Sequence, residues 1–466
     1  MFTDNTTYIN AIGLAFGLLA GVLMVFVPRR YALLPVIAMI CFMTMGQRIL
    51  VFGLNFTLIR ILLLFGWLRV IARGEVRAIK LNPIDRVLIY YVISAVITYT
   101  LLWQTWEAFI NRMGLAYNAI GLYFLFRLLV RDLDEVRRVA KLLALAVIPL
   151  AGSMVLERMT GRNPFGIFGG VPLETLVRDG VLRCQGPFAH PILAGTFGAT
   201  VLPIFIGLWW QRGSSRFLAF LAILASVLIT VAAASSGPVL AGLFGLVGLC
   251  FWPLRKRMRL VRWGVALTIL GLHLVMKAPV WFLIARVGIF AGSTGYHRAF
   301  LIDRAIAHFF DWWLVGTYST EDWGYYLFDV TNQYVLVAIE GGLITLVLFI
   351  AIIARCFGGV GRAVQTMEGE SPGDQRLVWA LGAALLTHVV NYLSVPYFDQ
   401  NFVNWYLLLA MISMASGVTR QAVQEAAHPG GAHIEVPQAL DPVLNPSGPR
   451  SLSRLQGRKF LSVGGH

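Results

Sequence analysis

The sequence has few charged residues and few cysteines, and it lacks the short motifs that identify many enzyme classes. Only 13% of its 466 residues are Asp, Glu, Lys or Arg, where a soluble domain has about a quarter. Its four cysteines show no CxxC pair and no metal-ligand spacing, so we expect neither a disulfide nor a zinc site. No P-loop, GxSxG or HExxH is present, which gives no sign of ATP use or metal-dependent proteolysis.

Apolar residues make up most of the chain. It is 58% hydrophobic with a mean hydropathy of +0.73, more than one globular core can bury, which indicates a lipid solvent. Runs of about 20 apolar residues favour α-helical spans over a barrel, whose segments alternate over about ten residues. The sequence therefore predicts an all-α polytopic membrane protein of 12 or 13 transmembrane helices. The long runs fall near 8–28, 50–71, 84–103, 113–130, 137–156, 189–210, 217–234, 237–253, 263–280, 331–354, 377–395 and 401–417, and a shorter one spans 32–46.

Basic residues in the short connections predict the orientation of these helices. With 13 spans, all five basic connections fall on one side, which the excess of Lys and Arg marks as cytoplasmic. The N-terminus is then outside. If 32–46 only dips into the membrane, the N-terminus is inside. We attribute the net charge of +15 to these cytoplasmic loops. Because no nucleic-acid-binding module is visible, we expect no nucleic-acid partner. The connections are Arg29-Arg30, 73–80, 131–138, 211–216 and 254–262.

The runs divide the chain into six regions. N-terminal helices occupy 1–156, a first outer loop 157–188, central helices 189–280, a large outer loop 281–330 and C-terminal helices 331–419. Residues 420–466 are rich in Pro, Gly, Ser, Gln and Ala, which predicts a disordered cytoplasmic tail. The two outer loops are unusual because they carry several arginines on the translocated side. These are Arg158, Arg162, Arg178, Arg183, Arg286, Arg298 and Arg304.

The stretch RCQGPFAHPILAG, residues 183–195, places polar groups where the first outer loop enters a membrane helix. Pro191 suits the first turn of that helix. Arg183, with His190 nearby, is then held at the membrane surface beside a helix N-terminus, a place that favours anions. The alternative is an arginine that reaches lipid headgroups without a specific ligand.

The large outer loop contains a segment with helical periodicity, residues 295–316. It predicts an amphipathic helix that lies flat on the membrane, with Arg298 near the lipid-facing side and able to reach a lipid diphosphate. The alternative is a surface helix whose charges are solvated. The polar stripe is formed by His297, Arg304, His308 and Asp311, and the apolar face by Ile302, Ile306, Phe309, Phe310 and Trp313.

A third polar segment, 329–343, opens a membrane helix on the outer side with Asp329, Thr331, Asn332 and Tyr334. Glu340 falls about two turns deeper, where a carboxylate is costly and is usually paired or functional. Arg60 is a candidate partner for a structural ion pair.

These three segments, in this order, resemble the O-antigen ligase and O-antigen polymerase family. The matching pieces are RCQGPFAHP, YHRAFLIDRAIAHF and TNQYVLVAIEGGL. The resemblance covers most of residues 30–417 through loose motifs. It implies a GT-C-like architecture in the bacterial inner membrane, with the active site facing the periplasm. It also implies a glycosyltransferase without metal or cofactor, whose partners are an undecaprenyl-diphosphate-linked glycan donor, a glycan or lipid A-core acceptor, membrane lipids and polysaccharide-assembly proteins.

The resemblance further implies roles for individual residues. Arg183 and Arg298 would stabilise the leaving diphosphate, and Asp329 and Thr331 fall at catalytic positions. Thr331 occupies the position of the family histidine, and threonine is not a general base near neutral pH. Asp329, His190 and Glu340 are the candidate substitutes, with Asp329 the nearest. The implied substrate-binding residues are Arg304, His190, Asn332, Tyr334, Glu340 and His297.

This departure favours an O-antigen or exopolysaccharide polymerase over a ligase that transfers glycan to lipid A-core or protein. A lipid-linked glycan flippase is an alternative of another class, although transporters usually show related halves and no internal repeat is visible. A non-enzymatic assembly protein is a third.

Overall fold

A computed structural model describes residues 8–51, 54–76, 79–211, 213, 215–286, 294–368 and 371–427. The chain separates into two units, Met1–Val423 and Gln424–His466, and the fold described below is that of the first. The predicted tail at 420–466 begins later than expected, because the last helix continues to Ala427. The remainder of that prediction lies outside the described residues.

Sixteen α-helices and two short hairpins form the described fold, which confirms the predicted all-α polytopic membrane architecture. Each of the thirteen apolar runs contains a helix. The helices are α1 (Ala11–Phe26), α2 (Leu34–Phe42), α3 (Leu58–Ala72), α4 (Pro83–Trp103), α5 (Trp106–Leu129), α6 (Leu133–Thr160), α7 (Pro191–Trp209), α8 (Ser215–Ala232), α9 (Ser236–Cys250), α10 (Met258–Val275), α11 (Leu283–Arg286), α12 (Gly295–Ala307), α13 (Phe309–Trp312), α14 (Gln333–Thr366), α15 (Pro372–Asn391) and α16 (Asp399–Ala427). The strands are β1 (Arg48–Val51), β2 (Leu54–Thr57), β3 (Leu176–Arg178) and β4 (Val181–Arg183).

Helix boundaries follow local capping chemistry. Asn82 and Asp85 form a reciprocal capping box at the start of α4, and Thr105 and Asp132 cap α5 and α6 with their side-chain oxygens. Each cap satisfies backbone N–H groups that a helix start otherwise leaves without partners. Within the described residues, six helices are long and apolar enough to cross a membrane.

The predicted basic connections meet at one end of the helices, which we call the basic end. Arg29 forms an ion pair with Glu135 at 2.8 Å, and Lys256 forms one with Glu368 at 2.9 Å. Arg69 is fully buried and binds Glu75 at 2.8 Å. The Arg29–Glu135 and Lys256–Glu368 pairs join segments that are distant in sequence, whereas Arg69–Glu75 ties the end of α3 to the loop that follows it.

The segment that follows α1 connects the two ends of the helices. The Val27 carbonyl accepts a hydrogen bond from Arg69 at the basic end, whereas the Arg48 backbone pairs with Tyr8 at the opposite end. Helix α2 has nine residues, about 13 Å, and a bend and a turn follow it before β1. The chain therefore passes from one end to the other between residues 28 and 48.

Helix α7 lies at the centre of the packing. In the most apolar stretch of this helix, 83% of the residues are buried, and the helix contacts α8, α9 and α15. Small residues permit this close approach: a Cβ at Gly207 would lie 2.6 Å from the Ala380 Cβ. The N-terminus of α7 is thus held rigidly at the end opposite the basic end, which we call the site end.

The large outer loop differs from the predicted single helix. Helix α12 ends at Ala307, and a separate turn, α13, follows after His308. Leu301 and Ala305 of α12 are buried in a second apolar core, while Phe310 is 83% exposed. That second core also contains Trp312, Trp323, Leu327, Val335, Ala338 and Ile339, so the outer loop packs on the start of α14.

Candidate functional site

Arg183 ends a two-stranded hairpin in the first outer loop. Asp179 and Gly180 connect β3 to β4 with φ of 51° and 75°, the geometry of a tight two-residue turn for which Asp-Gly is favoured. Arg183 is only 7% exposed. Its Nη2 donates to the Ser235 hydroxyl at 2.5 Å, and its Nε is buried without a partner.

Glu157 fixes the chain immediately after Arg183. This fully buried carboxylate, near the end of α6, accepts hydrogen bonds from the backbone N–H groups of Gln185 at 3.1 Å and Gly186 at 2.8 Å. The Thr175 hydroxyl adds a third bond at 3.3 Å. Carboxylate–amide bonds of this kind are stronger than neutral ones, so the segment that carries Arg183 is held to α6.

Arg298 approaches the same place from the large outer loop. It lies in the first turn of α12 and is 8% exposed. A Cβ at Gly237 would lie 3.7 Å from its Nη1, and its Nε is buried without a partner. Because Ser235 is the N-cap residue of α9, Arg183 and Arg298 both reach the N-terminus of that helix.

The charge of Arg183 acts on His190, the N-cap residue of α7, while its guanidinium contacts the N-cap residue of a second helix, α9, which the sequence did not predict. The prediction for Arg298 requires correction. Arg298 was placed near the lipid-facing side of α12, but it shares the buried face with Leu301 and Ala305. That face turns inward because α12 packs on the start of α14.

The positive charges of Arg178, Arg183 and Arg298 lie close enough to influence one another. Burial, followed by the charges of Arg178 and Arg183, lowers the pKa of Arg298 to about 10, against the opposing charge of Asp329. Burial and Arg178 also lower the pKa of Arg183. Within the described ranges, neither Arg183 nor Arg298 forms an ion pair with a carboxylate. A buried charge without a counter-charge is costly, so the site favours an anion.

His190 is the N-cap residue of α7, and Pro191 follows at the predicted first position. Its Nδ1 accepts a hydrogen bond from the Ile192 N–H at 3.2 Å. Burial and then Arg183 lower the pKa of His190 to about 4, against the opposing charge of Asp329. His190 is therefore neutral near neutral pH, with Nδ1 used in capping.

His297 and the loop before α14 form the other side of the site. Nε2 of His297 lies 3.0 Å from the Tyr326 carbonyl oxygen, and Nδ1 lies 3.4 Å from the Thr331 hydroxyl. Asp329 is exposed, and its backbone N–H donates to the same Tyr326 carbonyl at 3.3 Å. His297 precedes Arg298 in α12 and is half-buried, whereas Arg298 is buried.

Asn332 and Tyr334 lie at the start of α14, where their polar groups form local hydrogen bonds. Oδ1 of Asn332 accepts hydrogen bonds from the N–H groups of Tyr334 and Val335, while its buried Nδ2 has no partner. The Tyr334 hydroxyl donates to the Val389 carbonyl at 3.0 Å. Tyr334 is therefore turned toward α15.

The two remaining candidates bind elsewhere. The Arg304 guanidinium lies 4.8 Å from the centre of the Phe300 ring. Glu340 pairs with Arg112 at 2.8 Å. The expected partner, Arg60, instead donates to Asn118 Oδ1 at 3.1 Å. The prediction of an Arg60–Glu340 pair is wrong, because the partner, Arg112, lies two helices later, on α5.

Sequence reasoning missed three contributors to the site. Arg178 was noted only as a basic loop residue, yet its charge affects Arg183, His190 and Arg298. Ser235 and Gly237 were not selected. Their signal is the sequence SSGP between two apolar runs, where a serine N-cap marks a helix start. Among the described residues, no group of three or more His, Cys, Asp or Glu side chains could hold a metal ion.

Comparison with known proteins gives little further information. No family model matches the sequence, and the search of curated proteins finds no match. The chain is similar, at a TM-score of 0.37 and 15% identity, to a chain from a structure described as the structural coordination of polymerization and crosslinking by a peptidoglycan synthase complex. The alignment covers 73% of this chain and 98% of that chain. A TM-score at this level does not establish a shared fold.

Proposed function

We propose that the protein is a glycosyltransferase of the bacterial inner membrane that acts on a polyprenyl-diphosphate-linked glycan at its periplasmic face. The observation that carries this proposal is the pair Arg183 and Arg298. Both guanidinium groups are buried at the N-terminus of α9, and neither has a carboxylate partner among the described residues. A diphosphate anchored by a lipid tail supplies the missing negative charge at the correct depth.

The reaction would use this pre-existing positive charge. An acceptor sugar hydroxyl attacks the anomeric carbon, and polyprenyl diphosphate leaves as its charge increases. Guanidinium groups bind such oxygens through paired hydrogen bonds. Because they are held before the reaction, they stabilise the leaving group without reorganising, and each donor contributes about 3 kcal/mol. The arginines would thus do the work that a metal ion does in other transferases.

Polymerisation is the form of this reaction that the residues support best. Thr331 stands where the ligases that the chain resembles have a histidine, so transfer to lipid A-core is the second candidate. In a polymerase, both partners are glycans on lipid carriers, and the product is O-antigen or exopolysaccharide. A lipid-linked glycan flippase would also need cations, but it would not need a base beside them.

The test is replacement of Arg183 and of Arg298 by alanine in the native host. Arg162→Ala is the matched control, because Arg162 is an exposed arginine of the same outer loop. Surface and secreted glycans are compared on gels with those of a deletion strain, after the membrane abundance of each variant has been measured. We expect both site variants to reproduce the deletion pattern and the control to retain wild-type glycan.

The deletion pattern also identifies the reaction. Single repeat units on the acceptor indicate a missing polymerase, whereas long chains retained on the lipid carrier indicate a missing ligase. Lipid-linked units that never reach the outer face indicate a missing flippase. Normal glycan from both arginine variants at normal abundance would disprove the proposal.

A further inference from the structure

His297 is held by two contacts that act on opposite ring nitrogens. The Tyr326 carbonyl lies 3.0 Å from Nε2, and a carbonyl oxygen accepts but does not donate. Nε2 must therefore carry the proton. In the neutral ring Nδ1 is then an acceptor, and its partner is the Thr331 hydroxyl at 3.4 Å. The histidine is thus fixed in one tautomer, with its basic nitrogen directed at a hydroxyl group.

The carbonyl that fixes this tautomer belongs to a strained residue. Tyr326 has a φ of 58°, a left-handed conformation that bulky side chains rarely adopt. Strained backbone of this kind is often found where a functional group must be held in place. The same carbonyl also accepts the Asp329 N–H at 3.3 Å, so one strained peptide orients His297 and anchors the loop that leads to Thr331.

The other candidate bases are engaged or less well placed. Nδ1 of His190 caps α7, and the Glu340 carboxylate binds Arg112. The Asp329 carboxylate is exposed, and its charge acts on Arg298 and His190. Of these candidate groups, His297 is the one whose acceptor nitrogen faces a hydroxyl group.

We infer that His297 is the general base of the transfer reaction, a role that rests on the proposed function. The acceptor hydroxyl oxygen forms a bond to the anomeric carbon. The bond from that carbon to the diphosphate oxygen breaks, and its electron pair leaves on the diphosphate. The hydroxyl proton passes to Nδ1 of His297, which returns it to water. Thr331 positions the imidazole ring, and its own hydroxyl shows where the acceptor hydroxyl would face Nδ1.

The test separates proton transfer from positioning. In His297→Gln, the amide N–H can still donate to the Tyr326 carbonyl, but the side chain cannot accept a proton. His297→Ala removes the ring and leaves space for added imidazole. Transfer is measured with the purified full-length protein and polyprenyl-diphosphate-linked oligosaccharide extracted from host membranes. His308→Gln is the matched control, because His308 lies at the end of the same helix and pairs with Asp311.

A general base contributes about 100- to 10,000-fold. We therefore expect the turnover of His297→Gln to fall by at least about 100-fold while its affinity for the donor is unchanged. Added imidazole should restore part of the activity of His297→Ala. The activity of His308→Gln should stay near that of the wild type. If His297→Gln stays within about tenfold of wild type, or if imidazole has no effect on His297→Ala, the histidine only positions other groups. If Arg183→Ala is also fully active, the proposed function itself fails.

Discussion

Nη2 of Arg183 lies 2.5 Å from the hydroxyl of Ser235, although the two residues belong to connections separated by two membrane helices. The contact brings a loop arginine to the N-cap of α9, where the helix dipole adds to the positive potential. Arg298 reaches the same turn at Gly237. The site is therefore assembled by three connections, and it depends on the packing of the helices that carry them.

The Arg112–Glu340 ion pair gives a first prediction. The Arg112 side chain is 10% exposed and its guanidinium also covers the Tyr99 ring at 3.7 Å. Glu340→Ala leaves that cation without its counter-charge, and because the Glu340 side chain is itself 38% exposed we expect a loss of about 1 kcal/mol in stability. Replacing both residues by leucine should recover most of it. The melting temperature in detergent and the transfer activity per folded molecule provide the measurements.

This prediction distinguishes two roles for Glu340. If the residue only pairs with Arg112, the double leucine variant is stable and active. If Glu340 binds glycan, as the resemblance implies, the double variant is stable and inactive. Unchanged stability of the single variant would contradict the structural role.

His190 gives a prediction about pH. Burial and Arg183 lower its pKa from 6.5 to about 4, so between these values the unfolded chain binds a proton that the folded protein does not. The contribution of His190 to stability is therefore complete above pH 6.5 and is lost as the pH falls toward 4. His190→Asn keeps a capping acceptor but does not titrate.

The check is the fall in melting temperature between about pH 7.5 and about pH 5. We expect the melting temperature to fall more for the wild-type protein than for His190→Asn. Ser153→Asn, a substitution on α6 that leaves His190 in place, is the control, and its melting temperature should fall as that of the wild type does. Equal falls for wild type and His190→Asn would show that the histidine does not titrate as its surroundings require.

Much of the fold was predictable because a membrane interior leaves the chain few choices. Backbone groups without water must pair within a helix, so each apolar run contains a helix, and Pro191 begins α7 as expected. The short run at 32–46 was ambiguous by length alone. Its crossing became evident only from contacts at its two ends, at Val27 and Arg48.

The site was less predictable because the rotation of each helix is set by its neighbours. Ile306 and Phe310 belong to the face predicted to lie on the membrane and are 53% and 83% exposed, whereas Arg298, predicted near that face, is buried. Similarly, Arg60 and Arg112 lie on neighbouring helices, and the sequence does not tell which one faces Glu340. The Asp179-Gly180 turn was a readable hairpin signal that helical periodicity obscured.

The break in α14 gives the last prediction. Gly342 has a φ of 70° inside the helix. Backbone hydrogen bonds to the outer loop lie on both sides of it: the Leu343 N–H donates to the Trp313 carbonyl at 2.8 Å, and the Ile339 carbonyl accepts from the Thr317 N–H at 2.8 Å. A Cβ at Gly342 would lie 2.4 Å from the Leu314 carbonyl oxygen. Alanine there meets both an unfavourable φ and backbone that cannot move aside, so we expect Gly342→Ala to cost at least about 2 kcal/mol and to detach the loop that carries His297 and Arg298.

Gly361 provides the matched control within the same helix. A Cβ at Gly361 would meet nothing within 4 Å, and alanine is a better helix former than glycine by up to about 1 kcal/mol. Gly361→Ala should therefore melt at or above the wild-type temperature and retain activity, whereas Gly342→Ala should lose both. Equal melting temperatures for the two variants would mean that α14 tolerates a regular helix at Gly342. The outer loop would then be held by its apolar core alone, and the broken helix would have no part in positioning the site.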